Sequence, residues 1–297
     1  MANGWTGAQY SFLRIGLGLY LAAGLTVLLV VAPGPLVAFA LSASLALAIG
    51  FKDRVAAAVV AVLVGPLQPV VGALLLVHAI AVPSAPYGSW DARGRLDPGG
   101  GWRLPWPAHM CFRAVAAGFW LWGVAVMRRG GLGPVEIADL AAVGLLVHGF
   151  AFDPAWIRGR GEGAPTLVLY DGQCGFCQAW VRLLLAEDAD GRRFRFAPLQ
   201  GERAHRSLGD DERRGLGDTV VALTADGTVL SRSEAAIHIG HRLGGFWRAA
   251  ALLARVVPRR LRDAVYDAVA RVRHHLARKP KDVCPILPAA LRARFEV

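Results

Sequence analysis

Charge divides this chain near residue 152. Residues 1–152 carry nine Lys/Arg and five Asp/Glu, and residues 153–297 carry 24 and 17. Long uncharged runs in the first half demand an apolar solvent. In lipid every backbone N–H and C=O needs an internal partner, so such runs must be helices. The second half has the charge density of a water-soluble domain. A length of 297 residues leaves room for about two domains of ~150 each.

The expected architecture is an α-helical transmembrane bundle followed by an α/β domain. Tyr10 to Val31 holds one charge, Arg14. As a helix it reaches about 33 Å, enough for a hydrocarbon core of about 30 Å. Pro33-Gly34-Pro35 breaks it, and Leu36 to Phe51 is a second, shorter span before the charged loop Lys52-Asp53-Arg54. Val55 to Val82 is interrupted by Gly65-Pro66-Leu67-Gln68-Pro69 and reads as a kinked or broken helix. Residues 83–110, rich in Gly, Pro and Trp, read as an interfacial loop. Cys111 to Met127 and Val135 to Phe152 bring the expected count to about five spans, with four or six as alternatives. No basic stretch precedes the first apolar run, so it reads as a retained anchor in a multi-pass protein of the plasma membrane.

Arg14, Gln68, His78, Arg113 and His148 lie within these spans. Ionisable groups at membrane depth are costly and by default suggest function. Against that, Arg14 and Arg113 sit close enough to helix ends to snorkel, and the histidines can bond a neighbouring helix. Cys111 is the half's single cysteine, so this half cannot run a dithiol relay of its own.

The second half opens on a sharper signal. Thr166-Leu-Val-Leu-Tyr170 is extended and apolar, Asp171-Gly172-Gln173-Cys174-Gly175-Phe176-Cys177 follows, and a helical pattern runs on to Glu187. Strand, Cys-x-x-Cys, then helix is the layout of a thioredoxin-like redox site. Cys174 is nearer the helix start, where the dipole and unpaired N–H groups favour thiolate, which makes it the candidate nucleophile. Cys177, one turn on, is placed to resolve a mixed disulfide. Gly175 keeps the loop narrow, and Phe176 offers an apolar face to a partner. Asp171 has two readings, a proton acceptor for Cys177 or a turn residue bonded to the N–H groups of its loop. The implied reaction uses the dithiol/disulfide itself, with no further cofactor. Its partner is a protein or small thiol or disulfide.

Residues 158–164 read as a linker between a membrane domain (1–157) and a domain spanning 165–297. Beyond the first helix, Arg193 to Ala197 alternates as a strand, 201–215 reads as helix, and Thr219–Leu223 and Thr228–Leu230 flank Ala225-Asp226-Gly227 as a hairpin. Ser233 is placed to cap the next helix. Phe246 to Val257 is helical, and Leu261, Val265, Val269, Val272 and Leu276 make an apolar stripe on a last helix. The order β-α-β-α-β-β-α matches a thioredoxin core with extra C-terminal helices.

Residues 242–281 carry eleven Lys/Arg against two Asp/Glu. They form either a solvated face or a surface held against anionic lipid. The second reading places the soluble domain on the cytoplasmic side. The net charge of +11 comes with no nucleic-acid-binding motif, so nucleic acid is not an expected partner.

Residues 166–297 resemble the DCC family of thiol-disulfide oxidoreductases, named for Asp-x-x-Cys-x-x-Cys. Here Asp171, Cys174 and Cys177 fill that motif. The likeness continues through Phe194-Arg-Phe-Ala-Pro-Leu-Gln200, Ser233-Glu-Ala-Ala236, Tyr266, Cys284-Pro-Ile-Leu-Pro288 and Arg294-Phe295. The first half is more loosely similar to DoxX-like or carboxylase-related membrane domains fused to such modules. The resemblance implies oxidoreductase activity and a role for Cys284 near the site. From the residues alone, Cys284 is a third redox partner, a metal ligand or a small buried hydrophobe. Gly172 and Thr219 complete the candidate site. Thioredoxins carry a cis-Pro before the third strand; the matching position here falls near Asp218-Thr219, with no Pro.

Two other classes of function stay open. Cys174, Cys177 and Cys284 with His274, His275, His238 or His241 could hold zinc, although no second Cys-x-x-Cys or paired-His spacing exists. A transporter or partner-binding membrane protein carrying a degenerate redox domain is the other.

Overall fold

The structure, a computed structural model, describes residues 3–128, 132–157, 163–209, 219–276 and 288–296. Its contacts divide into two units, Met1–Gly94 with Trp102–Asp153 and Arg95–Gly101 with Pro154–Val297. The linker residues 158–162, residues 210–215 of the expected charged helix, Asp218 and Cys284 lie outside the described residues.

The first unit is helical. Its helices are α1 (Gly7–Val31), α2 (Pro35–Ile49), α3 (Asp53–Val64), α4 (Pro69–Ala81), α5 (Trp106–Arg128) and α6 (Pro134–Ala151). Among the described residues, α1, α5 and α6 are long and apolar enough to cross a membrane. The apolar helices α2 and α4 have 15 and 13 residues. They reach about 22 and 20 Å, short of a ~30 Å core. The run from Val55 to Val82 is broken at the Gly-Pro segment, because Pro69 starts α4 instead of continuing α3. The fifth helix begins at Trp106, ahead of the expected Cys111.

The polar side chains of this unit bond between helices. Arg14 does not snorkel. It is fully buried, and its guanidinium donates to the Leu47 and Ala48 carbonyls at the end of α2. Gly50 follows at φ +73°, and a Cβ there would stand 2.6 Å from that guanidinium, so the close approach requires glycine. The Tyr10 hydroxyl lies 2.6 Å from His78 Nδ1. Tyr20 donates to Asp139 at 2.5 Å, and His148 Nε2 accepts from Trp120 at 3.0 Å.

The second unit holds a mixed four-stranded sheet. Its elements are β1 (Thr166–Tyr170), α7 (Gly175–Glu187), β2 (Phe194–Pro198), α8 (Glu202–Ser207), β3 (Val221–Leu223), β4 (Val229–Ser231), α9 (Arg232–Leu243), α10 (Gly245–Val256), α11 (Arg259–Leu276) and α12 (Ala289–Arg292). The strand order is β2-β1-β3-β4. Strands β1 and β2 run parallel, with Val168 opposite Phe196, while β1–β3 and β3–β4 are antiparallel. Every residue of β1 is buried. That is why the strand reads as a continuous apolar run and does not alternate. Val168, Phe194 and Phe196 pack with Val181 and Leu184 of α7 and Ile239 of α9 on one face. Leu167, Leu169 and Val221 pack with Ala204 and Leu208 on the other.

Ser233 does not cap α9. The helix begins two residues earlier than that cap requires, behind Ser231, and the Ser233 hydroxyl donates to the Asp263 carboxylate of α11 instead.

The chain's end is pinned to the sheet edge. Phe196 N–H donates to the Arg294 carbonyl at 2.9 Å, and Glu296 N–H donates back to the Phe196 carbonyl at 2.8 Å. Arg294 reaches Asp188 after α7, giving Nη2 to its carboxylate at 2.5 Å and Nη1 to its carbonyl at 2.9 Å. Both side chains are buried. Breaking a buried pair on one side strands the other charge. Asp188→Ala should therefore destabilise the second unit by about 3–5 kcal/mol. The check is the loss in denaturation midpoint; an unchanged midpoint would refute the clamp.

Candidate redox site

The site forms where β1 gives way to α7. Because β1 is clamped between β2 and β3, Tyr170 ends at a fixed point, and Asp171 to Gln173 turn the chain into the helix. Cys174 is the N-cap of α7, with extended backbone at φ −100°. Its sulfur takes the place usually held by a Ser or Asp oxygen and accepts the Cys177 N–H at 3.4 Å. The Cys-x-x-Cys spacing makes this contact, since the third residue into a helix offers an N–H with no intrahelical acceptor. Both thiols are free and both residues are buried.

Asp171 holds the turn. Its Oδ1 accepts from the Gln173 N–H at 2.9 Å and from Gln200 Nε2 at 3.0 Å. Gln200 in turn accepts from the Gly172 N–H at 3.2 Å, and Gln178 of α7 donates to the Gly172 carbonyl at 3.0 Å. On the other side, Asp171 Oδ2 lies 3.5 Å from Arg273 of α11, and both side chains are buried. This geometry is the turn-forming arrangement for Asp171, with a counter-ion added.

Burial pushes the Cys177 thiol up to about 12, and its hydrogen bond to Cys174 and the charge there act in the same direction, while Arg273 opposes them. Cys177 therefore keeps its proton at neutral pH.

A cavity of about 490 Å³ adjoins Cys177. Cys177 and Trp180 of α7, Ile237 of α9, and Val265, Tyr266 and Val269 of α11 line it. Phe176 also faces it. Thr219 is buried just before β3, where its hydroxyl donates to the Tyr266 hydroxyl at 3.0 Å. The Val220 N–H donates to the same oxygen at 3.0 Å.

Asp171, Gly172, Cys174, Phe176 and Cys177 thus gather round one turn; Phe176 and Cys177 line the cavity, and Thr219 holds Tyr266 of its wall. Cys284 and the side chains of His274 and His275 lie outside the described residues. His238 Nε2 stands 3.1 Å from Thr166 Oγ1, and among the described residues no group of three or more His, Cys, Asp or Glu forms a metal cluster. The role of Arg273 was hidden in the sequence among the basic residues of 242–281. A signal was present: Arg262, Tyr266 and Arg273 recur at helical spacing, a polar stripe beside the apolar one.

A family model described as DCC1-like thiol-disulfide oxidoreductase matches residues 168–279. The uncharacterized protein YuxK of Bacillus subtilis (strain 168) is 32% identical over 133 residues, covering 43% of this chain and 92% of that protein. No solved structure matches.

Arg273 favours the charged form of Cys177. In a Cys174→Ser background, Arg273→Met should slow iodoacetamide labelling of Cys177 by about threefold or more at fixed pH, since raising a thiol's pKa by about one lowers its thiolate fraction roughly tenfold. Faster labelling, quantified at that residue by mass spectrometry, would contradict the assigned geometry.

Proposed function

Because this chain belongs to the DCC1-like thiol-disulfide oxidoreductase family, we propose that it exchanges electrons with thiols and disulfides through Cys174 and Cys177. The observation that carries this reading is the Cys177 N–H aimed at the Cys174 sulfur at the first turn of α7. Cys174 attacks a substrate disulfide as the thiolate. The S–S bond breaks, one substrate sulfur leaves and takes a proton, and the other stays joined to Cys174. Cys177 then gives up its proton, attacks the Cys174 sulfur and releases the second substrate thiol. Two electrons pass from the dithiol to the substrate, and an external dithiol reverses the step. Asp171 anchors the turn and neutralises Arg273. The strand order β2-β1-β3-β4 with parallel β1–β2 supports a thioredoxin-like fold for residues 165–297.

The three long apolar helices support anchoring in a membrane by a multi-pass bundle. In this reading the redox domain faces the cytoplasm. Exposed Leu252, Leu253 and Val256, with exposed Arg255, Arg259 and Arg260, support contact between residues 242–281 and anionic lipid. Among the described residues no such observation favours the zinc or degenerate-domain reading.

A Cys177→Ser chain cannot resolve its mixed disulfide. Expressed in cells, it should retain a covalent, reductant-labile adduct on Cys174 that Cys174→Ser removes. A folded Cys177→Ser chain that captures nothing would count against the reaction.

A further inference from the structure

Helices α10 and α11 are turned against the usual rule for a domain in water. On α11 the polar side chains face inward: Arg262 bonds Glu234, Tyr266 meets Thr219, and Arg273 meets Asp171. The apolar stripe is left outside, with Leu261 58% and Val265 59% exposed. On α10, Leu253 and Val256 are 72% and 83% exposed. Apolar side chains gathered in this way mark a surface that meets something less polar than water.

Charge narrows what that is. From Ala250 to Val272 every exposed charged residue is an arginine: Arg255, Arg259, Arg260 and Arg271. Arg259 leans on Asp263 of its own helix at 3.5 Å. Two such faces from two copies would set like charges against each other. The anionic headgroups of a bilayer attract them.

The cavity beside Cys177 opens on this same face. Val257, Val265 and Val269 line the cavity and are also exposed. Ala254, Trp180 and the buried Ile237 line it too. The arginines that touch it, Arg232, Arg262 and Arg273, are each held by a carboxylate, from Asp267, Glu234 and Asp171. The wall therefore suits an uncharged, apolar occupant. At about 490 Å³ the space is on the scale of a small-molecule site, about 300–1,000 Å³. We propose that this cavity takes an acyl chain of an anionic membrane phospholipid, whose headgroup stays outside with Arg255 and Arg260. The Cys177 thiol forms part of the wall, so hydrocarbon would cover it on that side. The inference rests on the lipid contact proposed above and carries the lipid from the surface into the domain.

The test uses the full chain in bilayers of phosphatidylcholine alone or mixed with phosphatidylglycerol. Each bilayer is doped with its own lipid bearing a diazirine at the end of one acyl chain. After irradiation, mass spectrometry locates the adducts. Ile237 is buried, so a lipid lying on the outer face does not reach it. It should nevertheless carry an adduct, about threefold or more abundant with phosphatidylglycerol. Ala236→Trp narrows the cavity and should lower the Ile237 adduct about tenfold while those on Leu253 and Val256 persist. A misfolded domain would not keep the outer adducts while losing the inner one. Arg255→Gln combined with Arg260→Gln should remove the preference for phosphatidylglycerol. Adducts on Leu253 and Val256 with none on Ile237 would overturn the proposal and leave the surface contact standing. An Ile237 adduct equally abundant without phosphatidylglycerol would overturn the headgroup assignment. Adducts confined to α1, α5 and α6 would overturn both the cavity and the surface contact, as would a dimer joined through α10 and α11 in the same bilayers.

Discussion

One hydrogen bond organises the second unit: the N–H of Cys177 points at the sulfur of Cys174. It exists only if Cys174 sits at the cap of α7 and the chain reaches that cap from the end of β1 at the right height. The parallel β1–β2 pairing and the antiparallel β1–β3 pairing set the height. The bonds from Asp171 and Gln200 set the direction of the turn. Shifting any of them moves the sulfur away from the amide.

Position then gives the two buried sulfurs different surroundings. Cys174 has the amide; Cys177 has apolar walls and a neighbour that disfavours its charge. Identical side chains in one short motif acquire different contacts because one caps a helix and the other lies inside its first turn. Buried charge around them is matched by specific partners. Asp171 meets Arg273, and Asp188 meets Arg294. Such pairs add little net stability against apolar replacements, but each fixes one segment against another. The first orients α11 over the redox turn, and the second pins the C-terminal residues to β2.

What the sequence disclosed follows from the range of the interactions involved. Strand Thr166–Tyr170, the helix after Cys174 and the Asp226-Gly227 hairpin were legible because apolar patterning, capping and turn chemistry act within a few residues. The inward turn of Arg273 was not, because it depends on Asp171, about a hundred residues earlier in the chain. Ser233 looked like a cap by position but bonds to Asp263 of another helix, a tertiary choice that local rules cannot see. In the first unit, composition marked the apolar runs, while Pro69 and the Gly65 region broke one of them into helices below spanning length. The apolar stripe of α11 was legible as a stripe; its position at the mouth of a cavity required the fold.

The central claim is that burial and the neighbouring sulfur hold the Cys177 thiol protonated far above the ordinary thiol range. The direct measurement is the ultraviolet absorbance of thiolate against pH in the reduced full chain, read as the difference from Cys177→Ser. The account predicts that the step lost in Cys177→Ser lies at about 12. A lost step at or below 9.0, the ordinary thiol value, would contradict it.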